Sequence, residues 1–287
     1  MTAAQSELME LLSVETLDLD LFRGHSPDFP TSTRVFGGQV AAQALMAASR
    51  TVEGRTVHSL HAYFLRAGNP RNPIIYSVQR TRDGRSYSAR RVEAIQAGDV
   101  IFNLTASFHD HVEEEQLEHQ DELQAAAPEP KTVARFSERR VEWGIDSVPP
   151  AQMRFIDLRP IEFVDPLNPK PMAPERRVWL RSVDKLADDA MVHAVVLAYA
   201  SDLYLLGTTL LPHGIPSSSN DVSFASLDHS MWFHRPFRAD DWLLYVQRTP
   251  SASRGRGLAI GSIYTPTGAL AVTVAQEGVV RLRRSSP

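Results

Sequence analysis

The chain has 287 residues, 43% of them hydrophobic and 22% charged, an ordinary globular composition that excludes extended disorder and leaves room for one or two domains. Its formal net charge is −4, and its densest basic cluster, Arg281, Arg283 and Arg284, is too small to track a phosphate backbone, so nucleic acid is not an expected partner. Cysteine is absent, which excludes disulfides, thiolate metal sites and a cysteine nucleophile.

The opening MTAAQSELMELLSV lacks a basic region followed by a long apolar core, and no apolar run approaches the roughly 20 residues of a spanning helix. A soluble, cytoplasmic protein without a membrane partner is expected. Residues 5–13 have helical spacing, and VFGGQVAAQALMAAS (35–49) predicts a helix opened by Gly37-Gly38 and built mostly of small side chains. From His58 to Phe108 the pattern changes to strands, HSLHAYFL, PIIYSVQRT, SYSARRVEAIQ and DVIFNLTASF, punctuated by turn residues.

Residues 111–152 read as a linker between an N-terminal unit (1–110) and a C-terminal unit (153–287). Strand-like segments return at 154–164 and 176–183, and DDAMVHAVVLAYA (188–200) predicts a helix apolar nearly all round, hence buried on most sides. Further strands follow at SLDHSMWFH, DWLLYVQRT, GRGLAIGSIYT and LAVTVAQEGVVRL. The order helix then meander thus occurs twice. His58-Ser59 answers His229-Ser230, and YSVQRTR (76–82) answers LYVQRTP (244–250). A buried helix wrapped by a curved antiparallel sheet, twice over, is an α+β outline that fits a double hotdog; two unrelated α+β domains fit the periodicity as well.

Seven blocks in order, LFRGHSP (21–27), RVFGGQVAAQAL (34–45), VHSLHAYFLRAG (57–68), GRSYSARRVEAIQ (84–96), YASDLYLL (199–206), LDHSMWFHRPF (227–237) and VAQEGVVR (274–281), resemble the acyl-CoA thioesterase II (TesB-type) family over nearly the whole length. The resemblance implies a double-hotdog hydrolase that cleaves medium- to long-chain acyl-CoA to fatty acid and CoA. It implies no metal or cofactor, and a homo-dimer or tetramer. It also implies a water-holding set of Asp, Thr or Ser, and Gln, which falls on Asp202, Ser226 and Gln276; Ser226 stands where other members carry Thr.

The three residue types suit the chemistry. Thioester hydrolysis needs a water made nucleophilic and donors for the charge on the carbonyl oxygen. A carboxylate, a hydroxyl and an amide can hold one water from three sides. Gly37 and Gly38 are candidates for presenting backbone N–H groups to the substrate carbonyl, although glycines there also serve close packing. His58, in the VHSLHAYFL stretch, is a further candidate at the substrate, with a repeated structural histidine as its alternative. Arg66, Arg90 and Arg91 are candidates for CoA phosphates against solvated strand arginines. Two other functions compete. An enoyl-CoA hydratase would use Asp20 with His25 five residues on, and a non-enzymatic acyl-CoA binding protein would need none of the reactive set.

Overall fold

The computed structural model describes residues 7–26, 33–110, 117–123, 126–144, 151–216, 219 and 221–283. The N-terminal half runs α1 (Glu7–Leu12), β1 (Glu15–Asp18), β2 (Leu21–Gly24), α2 (Gly37–Ser49), β3 (Thr56–Phe64), β4 (Ile74–Asp83), β5 (Tyr87–Gln96) and β6 (Asp99–His109). After a short helix α3 (Phe136–Glu142), the second half runs β7 (Ile156–Pro160), β8 (Glu175–Ser182), α4 (Ala190–Ser201), β9 (Val222–Ser226), β10 (Asp228–Phe233), β11 (Leu243–Ser253), β12 (Arg256–Tyr264) and β13 (Leu270–Leu282). The described strands form one antiparallel sheet in the order β1-β2-β4-β5-β6-β3-β10-β13-β12-β11-β8-β7, with β9 added beside β13. The two halves therefore join edge to edge through β3 and β10, with Leu60 opposite Met231. Closing edge on edge removes two open strand edges, and each half buries a helix in the curve of its own strands.

Alternation dictates which side faces the helices. On β5, Ser88, Arg90, Val92, Ala94 and Gln96 point inward while their neighbours face out or lie half-covered. The helices α2 and α4 lie against each other across the joint, and small residues make that approach possible. A Cβ on Gly38 would sit 2.5 Å from the Tyr199 carbonyl oxygen. Residues 190–213 have a mean hydropathy of 1.5 in their most apolar window, enough to suit a bilayer, but 83% of that window is buried inside the protein.

The stretch 111–152, expected as a linker, packs against the second half where it is described. Trp179 Nε1 donates to the Pro128 carbonyl at 2.8 Å, Gln120 Nε2 to the Gly268 carbonyl at 2.9 Å, and Arg177 Nη1 to the Ala126 carbonyl at 3.0 Å. Val133, Trp179, Leu244 and Tyr264 form a small second core beneath it. This arrangement corrects the apparent echo of YSVQRTR in LYVQRTP. Val78 faces the main core, whereas Val246, its partner in the echo, faces the second core. The inward residue matching Tyr76 is Tyr245, one position on, and a one-residue slip in a strand exchanges its two faces.

Candidate active site

Asp202 is the C-cap residue of α4, so the helix end fixes its backbone and delivers its carboxylate into the gap beside α2. Oδ2 accepts the Gly38 N–H at 2.8 Å, an interaction that caps the N-terminus of α2 from the other half of the chain. Gly37 also allows this approach, because a Cβ there would lie 2.9 Å from Oδ2. Oδ1 accepts Gln276 Nε2 at 2.6 Å and the Ser226 hydroxyl at 3.5 Å, and Gln276 Nε2 also donates to Ser226 Oγ at 3.0 Å. The three residues named from the sequence thus meet.

The sheet sets this meeting. Ser226 ends β9 and pairs with Gly278 of β13, which places it two residues from Gln276 along that strand. Gln276 is fully buried, and its Oε1 has no hydrogen-bond partner. A buried amide with one unpaired oxygen is costly, a sign of a position kept for something other than stability. Beside it, His229 is buried with Nε2 at 2.9 Å from Ser201 Oγ, next in sequence to Asp202. Burial pushes the His229 pKa down, against an opposing pull from the Asp202 carboxylate, so the ring is neutral at pH 7.

Asp202 and Ser226 open onto a cavity of about 530 Å³, with Phe36, Met153, Tyr199, Leu206 and Phe224 among its apolar walls and Arg34, Arg140 and Arg176 among its cations. A second cavity of about 310 Å³, bordered by Phe64, Arg66, Ile101 and Phe102, shares Arg34, Val35, Gly37, Ala225 and Ser226 with the first. The two are lobes meeting at Gly37 and Ser226. Their size is that of small-molecule sites. Among the described residues, no group of three or more His, Asp or Glu converges to hold a metal ion.

Several sequence expectations change here. The Gly38 N–H is occupied by Asp202 rather than free for a substrate carbonyl. Gly37, on the cavity wall at the first helical position, is the glycine whose N–H precedes the hydrogen-bonded ladder. His58 lies on the outer face, with Nε2 at 2.7 Å from Ser107 Oγ and its ring against Tyr87 and His109, and it borders neither lobe. A bulge in the β3–β6 pairing between Val57 and Ser59 turns it outward, whereas its echo His229 stays inside. Burial lowers the His58 pKa, and His109 lowers it further.

Asp20 occupies the β1–β2 turn at φ 56° and is bound by Arg80 at 2.9–3.1 Å, away from both lobes. Of the arginines considered for CoA, Arg66 borders the smaller lobe, while Arg90 is buried against Asp83 and Thr51 and Arg91 pairs with Glu93. Among the described residues, the N-terminal half has no second copy of the cluster. The register puts Phe108 at the place of Gln276, since Leu60 faces Ala106 as Met231 faces Val274. By helix ends, Arg50 stands where α4 carries Asp202.

Sequence reasoning missed His229 as a neighbour of the cluster, Arg176 as a wall residue, and Phe136 and Arg140 of α3 as wall residues from the linker. The inward phase of His229 with Met231 was the available signal for the first. Nothing local marked the others.

Comparison with known proteins agrees with this architecture along the chain. A family model described as acyl-CoA thioesterase matches residues 151–279, and one described as the acyl-CoA thioesterase N-terminal domain matches residues 25–109. Acyl-coenzyme A thioesterase 8 of Mus musculus is 40% identical over 95% of this chain and 88% of its own. Acyl-CoA thioesterase 2 of Haemophilus influenzae is 38% identical over 96% of this chain and 97% of its own. The crystal structure of the acyl-CoA thioesterase II TesB2 from Mycobacterium marinum superposes with a TM-score of 0.79 at 41% identity, covering 96% of this chain and 98% of that one. The fold is a double hotdog, and the chain belongs to the acyl-CoA thioesterase II family.

Proposed function

We propose that the chain hydrolyses medium- to long-chain fatty acyl-CoA to free acid and CoA, by attack of a water that Asp202, Ser226 and Gln276 hold. One observation carries this reading: the three side chains are mutually hydrogen-bonded, with Ser226 where the two lobes meet, Asp202 on the wall of the larger lobe and Gln276 buried behind them. A thioester lying across that junction puts its acyl chain in the larger, more apolar lobe and its pantetheine in the smaller one, toward Arg66. Asp202 takes a proton from the water as the oxygen attacks the thioester carbon. The carbonyl oxygen gathers charge facing the N-terminus of α2, where Gly37 N–H and the helix dipole oppose it. Collapse of the tetrahedral intermediate breaks the C–S bond, and the thiolate leaves with the proton returned from Asp202.

Ser226 as a nucleophile is the rival mechanism, and the geometry disfavours it. A serine nucleophile needs a base within about 2.6–3.2 Å, but Asp202 Oδ1 is 3.5 Å away and Gln276 offers Ser226 only a donor. Palmitoyl-CoA incubated with a thiol reagent tests the function. Release of free CoA supports the hydrolase. Loss of enoyl absorbance from crotonyl-CoA without CoA release would replace it by a hydratase, and binding without turnover by an acyl-CoA binding protein.

A further inference from the structure

Arg176 is the wall residue that neither the water site nor a plain hydrocarbon chain explains. It is 4% exposed, near the start of β8, and borders the larger lobe. Its guanidinium is held by neutral groups: Nε donates to Gln247 Oε1 at 3.2 Å, and Nη2 to Thr208 Oγ1 at 3.0 Å and to the Tyr204 carbonyl. The Tyr204 ring stacks over it at 4.8 Å. Nη1 donates to none of these groups.

The comparison within the molecule is Arg90, equally buried at 1% exposure, which has Asp83 at 2.7 Å as its counter-charge. Arg176 forms no ion pair among the described residues; Glu162, the acid whose field reaches it, is occupied by Arg177, which donates to it through Nε and Nη2. Burial lowers the Arg176 pKa to about 10, so it is still a cation at neutral pH. A buried cation without a counter-ion is unfavourable unless a ligand supplies the charge. Strain collects at the same point. Tyr204 adopts φ 70°, a conformation bulky residues avoid, and its hydroxyl is buried without a partner.

Building on the hydrolase reading, we propose that Arg176 is an anion subsite of the acyl lobe, and that its ligand is the ω-carboxylate of a dicarboxylic acyl chain. Phe36, Met153 and Leu206 line the same lobe and suit the methylenes between the two ends. With Nε and Nη2 engaged, Nη1 is left to donate a charge-assisted hydrogen bond to a carboxylate oxygen. A CoA phosphate, strongly hydrated and in need of more donors, is better met at the exposed Arg34 and Arg66 of the smaller lobe.

The test is kcat/KM for matched pairs, adipoyl-CoA with hexanoyl-CoA, suberoyl-CoA with octanoyl-CoA, and sebacoyl-CoA with decanoyl-CoA, on the wild type and Arg176→Gln. The ratio within a pair cancels any loss of folded enzyme. The wild type should favour the diacid by about tenfold or more at one chain length or longer, and Arg176→Gln should abolish that preference. A wild-type ratio below one at every length, or a ratio that Arg176→Gln leaves unchanged, would overturn the subsite. So would an Arg176→Gln loss on octanoyl-CoA that vanishes with octanoyl-dephospho-CoA, since the arginine would then read a phosphate. If no thioester is turned over, the hydrolase reading fails separately, and calorimetric binding of suberoyl-CoA against octanoyl-CoA decides the subsite by the same ratio.

Discussion

Replacing Asp202 by Asn keeps the shape of the side chain and removes its capacity to take a proton. The carboxylate accepts from both sides, Gly38 N–H at 2.8 Å on one oxygen and Gln276 Nε2 at 2.6 Å on the other. An Asn presents one oxygen and one NH₂, so one of these two donors must face another donor. Losing a hydrogen bond to a charged group costs about 1.5–3 kcal/mol, well inside the roughly 5–15 kcal/mol of a folded domain, and the variant should stay folded with a lowered Tm. Its kcat should fall by about 10² to 10⁴, the range of lost general-base catalysis, or about 2.7–5.4 kcal/mol of barrier. CoA release at saturating palmitoyl-CoA measures the rate, and circular dichroism during heating measures the fold. A folded Asp202→Asn that keeps more than about a tenth of kcat would refute the assignment of Asp202 as the base.

Ser226 sits at the long limit of a hydrogen bond to Asp202, so Ser226→Ala should lose only about 1–3 kcal/mol of transition-state stabilisation in the same CoA-release assay; a loss equal to that of Asp202→Asn would contradict a supporting role. Gly38→Ala forces a Cβ to within 2.5 Å of the Tyr199 carbonyl oxygen and 2.6 Å of the Phe36 ring, which should destabilise the chain by about 1–3 kcal/mol and lower Tm by several degrees. An unchanged Tm would mean that α2 and α4 are not packed this closely. The His229 pKa is lowered by burial, so between its folded value and about 6.5 the unfolded chain binds the extra proton. The His229 contribution is therefore present above about pH 6.5 and lost as pH falls. His229→Asn should flatten the decline of Tm from pH 7 to 5; a decline as steep as in the wild type would place the titration elsewhere.

Much of the architecture was readable because its strongest signals are local. The all-round apolar stretch 188–200 became α4, buried for the reason its composition gave, and the small-residue run after Gly37-Gly38 became α2. The β1–β2 hairpin and β9 are strands of four or five residues, too short to show alternation. Errors of phase came from features that alternation cannot reveal. A bulge turned His58 outward, and the YSVQRTR echo matched letters across opposite faces of two strands. The Asp202, Ser226 and Gln276 grouping rested on the resemblance alone, because its members come from α4, β9 and β13 and meet only through sheet register. Arg176 gave no signal, since a strand arginine looks solvated until its neighbours are known.

In the proposed mechanism water, not Ser226, attacks the thioester. Rapid quench of the enzyme mixed with palmitoyl-CoA, followed by intact-protein mass spectrometry across the first turnover, addresses it directly. Unmodified protein at every time point, while CoA and palmitate appear together, is the predicted result. A palmitoyl adduct on Ser226 that forms and decays at a rate matching kcat would contradict it.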